Sequence, residues 1–229
     1  MSRKNFPLWN EPPHELNLAG GEVHLWRISL DLPATLLDEL ECLLNEEERA
    51  RADRLLDAKK ANAFIAARGR LRQVLARYLH LSPEEVSFAY NPHGKPYLRE
   101  NKDIRFNLSH SGPWALIAVT KGMETGVDLE WIDPVVDYEK IASQFFSPSE
   151  KELLMSFPLA RRRRAFYRIW TKKEAALKCL GQGFNSPKEA EEELSKRFLW
   201  YTTFPVEKGY IGSLAVEGDV DLLRKWELL

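Results

Sequence analysis

The sequence is 229 residues long, with 44% hydrophobic and 29% charged residues, the ordinary balance of a soluble globular protein. Its formal net charge of −1 argues against a protein drawn to nucleic acid or anionic lipid by a global positive field. The two cysteines, Cys42 and Cys179, lie far apart and match no zinc pattern, which predicts a reducing compartment. No apolar run reaches membrane-spanning length, and the first residues lack a secretory leader's apolar segment. We therefore expect a cytoplasmic protein that crosses no membrane.

The first half of the chain is predicted to mix strands and helices. In chain order we expect an extended arm over 1–21, a strand over 21–30, a helical region over 33–79 and short strands at 84–90 and 96–98. A strand–loop–strand unit then ends near Thr120, and its polar loop is the run Ser-His-Ser-Gly at 109–112. Charged residues interrupt the apolar stripe of the main helix, among them Arg68 and Arg72.

The second half opens with the strand Gly-Val-Asp-Leu-Glu-Trp-Ile-Asp at 126–133. A helix, a Ser-Pro break and a second helix follow, and Ser147 with Glu150 forms a capping box. A long helix is predicted from about Pro158 to Leu180, ending at Gly181. Residues 198–229 alternate and carry turn residues, which predicts antiparallel strands with a helical or frayed tail.

The two halves echo each other weakly. A helix opening Phe-Ile-Ala-Ala-Arg in the first half corresponds to one opening Phe-Tyr-Arg-Ile-Trp in the second, and each is followed by strands. We therefore predict an α+β fold of two pseudo-duplicated halves, residues 1–124 and 125–229, related by a pseudo-twofold axis. The active cleft is expected between them.

Two acids, Asp128 and Glu130, lie on one face of a strand that otherwise reads as buried. One interpretation is an edge strand whose polar face meets water. The other is a site for a hard cation, which needs a third oxygen ligand from elsewhere in the chain.

The long helix offers a candidate for that third ligand. Trp170, Glu174 and Lys178 are spaced four residues apart and share one helix face. A surface Glu–Lys pair is the simpler interpretation, but the tryptophan one turn before and the alanines after indicate a packed face. Trp170 itself reads as a packing anchor, and Trp131 and Trp114 as core residues beside the site.

The motifs taken together resemble the Sfp-type 4′-phosphopantetheinyl transferases. They are, in order, His-Gly-Lys-Pro at 93–96, Phe-Asn-Leu-Ser-His-Ser-Gly at 106–112, Gly-Val-Asp-Leu-Glu at 126–130, Phe-Phe-Ser-Pro-Ser-Glu at 145–150 and the long helix through Phe184. The resemblance covers about Gly94 to Phe184, with a looser match in the helix of Arg68 and Arg72. It implies transfer of the phosphopantetheine arm of coenzyme A to a carrier-protein serine, with release of 3′,5′-ADP.

The resemblance also implies a set of site residues. Asp128, Glu130 and Glu174 would hold Mg²⁺, and Asp128, Glu174 and Lys178 would serve catalysis, with Glu174 as the general base and Lys178 at the phosphates. The contacts implied for coenzyme A are Lys95, Ser109, His110, Arg68, Arg72, Lys173 and Lys178. Ala63 departs from the family, which often has an arginine there, and Arg51 or Lys60 could substitute for it.

Three function classes remain at this point. The first is the magnesium-dependent transferase, acting as a monomer on an acyl or peptidyl carrier protein. The second is a catalytically silent module that binds coenzyme A or another nucleotide. The third is a nucleic-acid-binding protein using Arg161–Arg164, which the near-zero net charge opposes. On the first interpretation those arginines attract an acidic carrier protein.

Overall fold

The computed structural model describes residues 9–181 and 187–229. The first eight residues of the predicted arm and residues 182–184 of the family motif lie outside the described residues. None of the described helices is long and apolar enough to cross a membrane.

The first half contains five strands and three α-helices in its described residues. They are β1 (Glu22–Ser29), α1 (Ala34–Cys42), α2 (Glu46–Asp53), α3 (Ala58–Leu79), β2 (Phe88–Tyr90), β3 (Pro96–Leu98), β4 (Ile104–Ser111) and β5 (Trp114–Lys121). The predicted helical region is thus three helices. Side-chain caps at Asn45 and Asp57 accept backbone N–H groups at the starts of α2 and α3, which explains why the region breaks there.

The second half runs from β6 to β9. Its elements are β6 (Thr125–Trp131), α4 (Tyr138–Phe145), α5 (Pro148–Ser156), α6 (Leu159–Leu180), α7 (Pro187–Ser195), β7 (Leu199–Pro205), β8 (Tyr210–Glu217) and β9 (Leu222–Leu228). The predicted capping box is confirmed, because Ser147 and the Glu150 side chain each accept the other's backbone N–H. Gly181 caps α6 with a φ of 68°, a conformation that favours glycine.

Two sheets carry the fold. The larger has the strand order β4-β5-β1-β9, and the smaller has the order β6-β8-β7. All pairs in them are antiparallel except β1 with β9, which are parallel. A long helix of 22 residues accompanies each half, α3 in the first and α6 in the second. The predicted α+β fold of two halves is confirmed.

Strand β1 is buried on both faces, which explains why its hydrophobic alternation slips. Trp26 and Ile28 pack in the core with α3, while Val23 and Leu25 pack in a second core. That second core also contains Val127 and other residues of the smaller sheet, so it joins the two halves.

Three expectations for local structure need correction, and one helix was missed. The predicted helical or frayed tail is instead strand β9. It pairs with β1, and no residue pattern near β9 predicts this pairing. The run Ser109–Ser111 lies within β4, so only Gly112 and Pro113 form the loop. Helix α7 was not predicted. Trp131 is 45% exposed rather than part of the core, since it is the last residue of β6.

Candidate active site

Strand β6 and helix α6 are in very close contact, and Gly126 makes this possible. A Cβ atom built at Gly126 would lie 2.1 Å from the Ala175 carbonyl oxygen and 2.2 Å from the Cys179 nitrogen. Only glycine allows two backbones to approach in this way. The contact holds α6 against β6. Glu174 and Lys178 lie on this part of the helix, and Asp128 lies two residues after Gly126 on the strand.

Asp128 is the centre of the site. It is 3% exposed, and its Oδ1 accepts hydrogen bonds from Lys178 Nζ at 2.6 Å and from Ser109 Oγ at 3.1 Å. Its Oδ2 is buried and has no hydrogen-bond partner among the described residues. A buried carboxylate oxygen without a partner is costly, so this atom is available to a ligand.

The two glutamates lie within electrostatic reach of Asp128. Burial, followed by the Asp128 charge, raises the pKa of Glu130 to about 7, although Lys178, Trp170 and Ser111 each act to lower it. Burial also raises the pKa of Glu174, with the same contribution from Asp128. The charge of Asp128 therefore acts on one acid of its own strand and on one acid of the helix, and the convergence of all three on a cation stays a prediction.

No three His, Cys, Asp or Glu side chains in the described part of the chain are arranged so that they could hold a metal ion as they stand. The ammonium group of Lys178 lies against Asp128 instead and provides the positive charge of the site. The ligand roles of Asp128, Glu130 and Glu174 stay predictions.

Trp170 contributes a contact that the sequence did not predict. Its ring packs against Phe146 and Phe166, as expected of a packing anchor, and its indole N–H also donates to Glu130. The spacing of four residues between Trp170, Glu174 and Lys178 was the available signal, because it places the indole on the face that meets the strand acids.

Ser109 and His110 lie beside these acids on β4. His110 lies within β4 rather than in the predicted loop, and it pairs with Ala115 of β5 within the sheet. Its side chain is largely exposed, yet partial desolvation lowers its pKa, and the Lys178 charge lowers it further. Ser109 is buried and accepts a hydrogen bond from Lys178 at 3.1 Å.

Two predicted coenzyme A contacts form internal hydrogen bonds. Lys95 Nζ donates to the Glu124 carboxylate and to the carbonyl oxygens of Thr125 and Cys179, so it links the first half to the end of α6. Lys173 is buried and pairs with Glu150 at 2.7 Å, which ties α6 to α5. Their predicted roles stay predictions, and each needs its ammonium group to change partners.

The expectation for Arg72 needs correction. This side chain is 1% exposed, and its guanidinium donates to Glu48 and to the backbone carbonyls of the turn after α3, at Pro83, Glu84 and Val86. A buried guanidinium with all of these partners holds α2 and α3 together rather than contacting a nucleotide. Arg68 also pairs with Glu48 and donates to Tyr90, and its predicted contact with coenzyme A is untested.

The arginine run at 161–164 is partly structural. Arg162 donates to the carbonyls of Phe157 and Met155, and Arg163 to those of Asp133 and Val136. These bonds fasten the start of α6 to its neighbouring loops. Attraction of an acidic partner stays a prediction for the exposed Arg161 and Arg164.

Comparison with known proteins places this site in a family. A family model described as the 4′-phosphopantetheinyl transferase superfamily matches residues 124–203, and one described as the N-terminal region of 4′-phosphopantetheinyl transferase matches residues 32–122. The 4′-phosphopantetheinyl transferase HetI of a Nostoc species is 42% identical over 190 residues, which cover 82% of this chain and 80% of HetI. The chain belongs to the 4′-phosphopantetheinyl transferase superfamily.

Other members of this superfamily are also similar. A putative 4′-phosphopantetheinyl transferase of a Synechocystis species is 39% identical over 70% of this chain and 65% of its own length. The transferase Sfp of Bacillus subtilis is 28% identical over 63% of both chains. The Sfp-type resemblance and the assignment as a transferase are confirmed.

Proposed function

We propose that this transferase uses Mg²⁺ to move the 4′-phosphopantetheine arm of coenzyme A onto a serine hydroxyl of an acyl or peptidyl carrier protein. Membership of the superfamily supports coenzyme A and a carrier protein as the substrates. The observation that carries the proposal is the buried Asp128 carboxylate, which pairs with Lys178 and whose charge raises the pKa values of Glu130 and Glu174.

The residues of the site fit a divalent cation. The donor set is three carboxylates, the oxygen ligands that Mg²⁺ prefers. The partnerless, buried Oδ2 of Asp128 supports the same assignment, because a cation would satisfy it. Asp128, Glu130 and Glu174 would hold the ion, which supplies positive charge against the diphosphate oxygens of coenzyme A.

The remaining chemistry belongs to side chains of this chain. Lys178 is held at 2.6 Å by Asp128, so its ammonium group is oriented to meet a phosphate oxygen. Glu174 is the general base in this proposal. Burial raises the pKa of Glu174, which makes its carboxylate a better proton acceptor for the carrier serine.

The bonds of the transfer balance as follows. The serine oxygen forms a bond to the phosphorus that carries the pantetheine arm, and Glu174 takes the serine proton. The bond from that phosphorus to the bridging oxygen breaks, and the bridging oxygen leaves on 3′,5′-ADP. Ser109, His110, Lys95, Arg68 and Lys173 are the proposed contacts for the rest of coenzyme A.

The proposal extends to the setting of the enzyme. We expect a cytoplasmic monomer, because both halves that face the site lie in one chain, with no role for nucleic acid or a membrane. The two matched family regions meet between residues 122 and 124, which supports a boundary near residue 124. The last strand, β9, nevertheless joins the sheet of the first half.

Mass spectrometry of a carrier protein tests the function. The protein is incubated with coenzyme A, MgCl₂ and each of several apo carrier proteins, and we expect the carrier to gain the mass of phosphopantetheine. A carrier whose acceptor serine is replaced by alanine is the control and should gain nothing. If none of the carriers gains mass while the protein still binds coenzyme A, the silent binding module is the better description.

Asp128→Ala tests the metal assignment. The change removes the central carboxylate, and we expect transfer to fall by a factor on the order of a thousand, since the charge on the diphosphate is then less well offset. Ser143→Ala, on an exposed position of α4, is the matched control and should leave the rate unchanged. Full activity in Asp128→Ala, measured by the same mass assay, would remove the metal site from the proposal.

A further inference from the structure

Side chains, rather than a backbone ladder, join the two sheets of this protein. Strand β4 is an edge of the larger sheet and β6 is an edge of the smaller one. Every second side chain of β4 accepts a hydrogen bond from every second backbone N–H group of β6, which gives three such bonds along the two strands. These bonds are Val127 N–H to Asn107 Oδ1 at 2.9 Å, Leu129 N–H to Ser109 Oγ at 3.2 Å and Trp131 N–H to Ser111 Oγ at 3.0 Å.

Two of these three acceptors also reach a site acid. Ser109 Oγ donates to Asp128 at 3.1 Å, and Ser111 Oγ lies 3.5 Å from Glu130 Oε2 as its donor. Each serine thus accepts the N–H of one residue and points its only hydrogen at the acid just before that residue. A hydroxyl can do both at once, because it has one hydrogen and two lone pairs.

The third acceptor lacks the second contact. Asn107 accepts the N–H of Val127, and the residue before Val127 is Gly126, which has no side chain. We call these three hydrogen bonds between β4 and β6 the seam. Two of its acceptor side chains also donate a hydrogen bond to an acid, and the third does not. Replacing Asn107 therefore affects only the attachment of β6 to β4, whereas replacing a serine also removes a hydrogen bond to a carboxylate.

Glu130 depends on its serine more than Asp128 does. Asp128 is also fixed by the Lys178 ammonium group at 2.6 Å, whereas the partners of Glu130 are the hydroxyl of Ser111 and the indole of Trp170. The terminal torsion of a glutamate is broad, so a carboxylate with few partners turns easily. We infer that Ser111 is a positioning residue that holds the Glu130 carboxylate on the side of β6 where Asp128 lies.

This inference rests on the proposed function, because it gives Glu130 a cation to bind. Groups around metal ligands orient them, and their loss weakens metal binding on the order of tenfold. The hydroxyl of Ser111 would do this from the other half of the molecule. A strand of the larger sheet would then set the geometry of an acid on the smaller one.

Metal binding by the full chain tests the inference. We would titrate the protein with MnCl₂, with and without coenzyme A, and measure free Mn²⁺ by electron paramagnetic resonance. In Ser111→Ala we expect the dissociation constant for Mn²⁺ to rise on the order of tenfold. Ser111→Thr keeps the hydroxyl and should restore binding. Asn107→Ala is the matched control, and we expect it to bind Mn²⁺ like the unaltered protein.

Transfer kinetics provide a second readout. In Ser111→Ala we expect kcat to fall while KM for coenzyme A stays unchanged, since Ser111 acts on the acid and not on the nucleotide. Should the alanine variant not fold, Ser111→Cys replaces it, because a thiol is a much weaker donor. Thermal unfolding of each variant establishes that it is folded.

The outcomes distinguish failure of the inference about Ser111 from failure of the proposed metal site. If Ser111→Ala binds Mn²⁺ as tightly as the unaltered protein while Asp128→Asn loses binding, the inference fails and the metal site stands. Equal weakening in Ser111→Ala and Asn107→Ala also overturns it, because the seam as a whole would then be responsible. If the unaltered protein binds no Mn²⁺, the metal site and the inference fail together.

Discussion

Lys178 supplies a positive charge that partly offsets the negative charges of the three acids. Its ammonium group lies 2.6 Å from the buried Asp128 and lowers the pKa values of both Glu130 and Glu174. Its positive charge opposes the effect of the Asp128 charge, which raises the pKa values of the two glutamates. Any cation that enters the site adds to a positive charge that the helix already supplies.

A buried histidine makes the stability of the protein depend on pH. Burial lowers the pKa of His24 from 6.5 to about 4, the Glu22 charge opposes this, and the Arg224 charge adds to it. The unfolded chain then binds this proton first as the pH falls, so stability is present above pH 6.5 and is lost between pH 6.5 and about 4. Between pH 7.5 and pH 5 the loss from this residue is about 2 kcal/mol.

Urea denaturation at the two pH values measures this loss. His24→Gln removes the titrating ring, and we expect its free energy of unfolding to fall by about 2 kcal/mol less than that of the unaltered protein. His93→Gln changes a histidine in an exposed turn and should keep the unaltered response. Parallel losses in the unaltered protein and His24→Gln would show that His24 is not responsible.

Single residues were predictable where their signal was local. Ser147 and Glu150 form a cap within three residues, and Gly181 ends a helix by its own conformation. Arg72 was misjudged because its partner Glu48 lies on another helix, and nothing near Arg72 indicates burial. The contact between Trp170 and Glu130 likewise joins residues that only the folded chain brings together.

At the scale of elements, the packing of α6 on β6 determines where the site residues lie. The two backbones meet at Gly126, and the three acids, Lys178 and the two serines beside them lie on these elements or on β4. A larger residue at this point would separate the helix from the strand. The site depends on a position that carries no chemistry of its own.

Gly126→Ala tests this dependence. The added carbon would overlap the backbone at Ala175 and Cys179, which cannot move as a flexible side chain could. We expect a loss of about 3 kcal/mol in the free energy of unfolding, and a fall in transfer activity. Urea unfolding and the mass assay measure the two effects.

Gly20→Ala is the control for that change. A Cβ atom at Gly20 would meet nothing within 4 Å, so we expect neither stability nor activity to change by much. Wild-type stability in Gly126→Ala would mean that the helix and strand can separate without cost.

The order of most elements could be predicted because each depends on nearby residues. Strands β5 and β6 and helices α4 to α6 follow from periodicity, caps and proline positions. Strand β9 could not, since it pairs with β1, about 200 residues earlier in the chain. The seam of Ser109 and Ser111 was read as a loop because Gly112 and Pro113 follow it directly.

At the scale of the whole molecule, the two halves share a core and a sheet. Val23, Leu25 and Leu116 of the first half pack with Val127 and Leu214 of the second. Strand β9 completes the sheet that β1 belongs to. The halves recognisable in the sequence are therefore not independent folding units.

A fragment of residues 1–124 tests this conclusion. It would expose the shared core and leave β1 without its parallel neighbour, so we expect no cooperative thermal unfolding in circular dichroism. Adding residues 125–229 as a second chain should restore the transition, since it supplies both missing surfaces. A sharp transition in the first fragment alone would show that the half folds by itself.

The late position of β9 has a consequence for biosynthesis. While the ribosome is still making the second half, β1 has β5 on one side and an unpaired row of backbone groups on the other. Such a row can capture a strand of another nascent chain, and it stays open until residues 222–228 have been made and have paired with β1. Slow translation of the segment between β5 and β9 would lengthen that exposure and would favour aggregation, although β1 is paired on both sides in the folded protein.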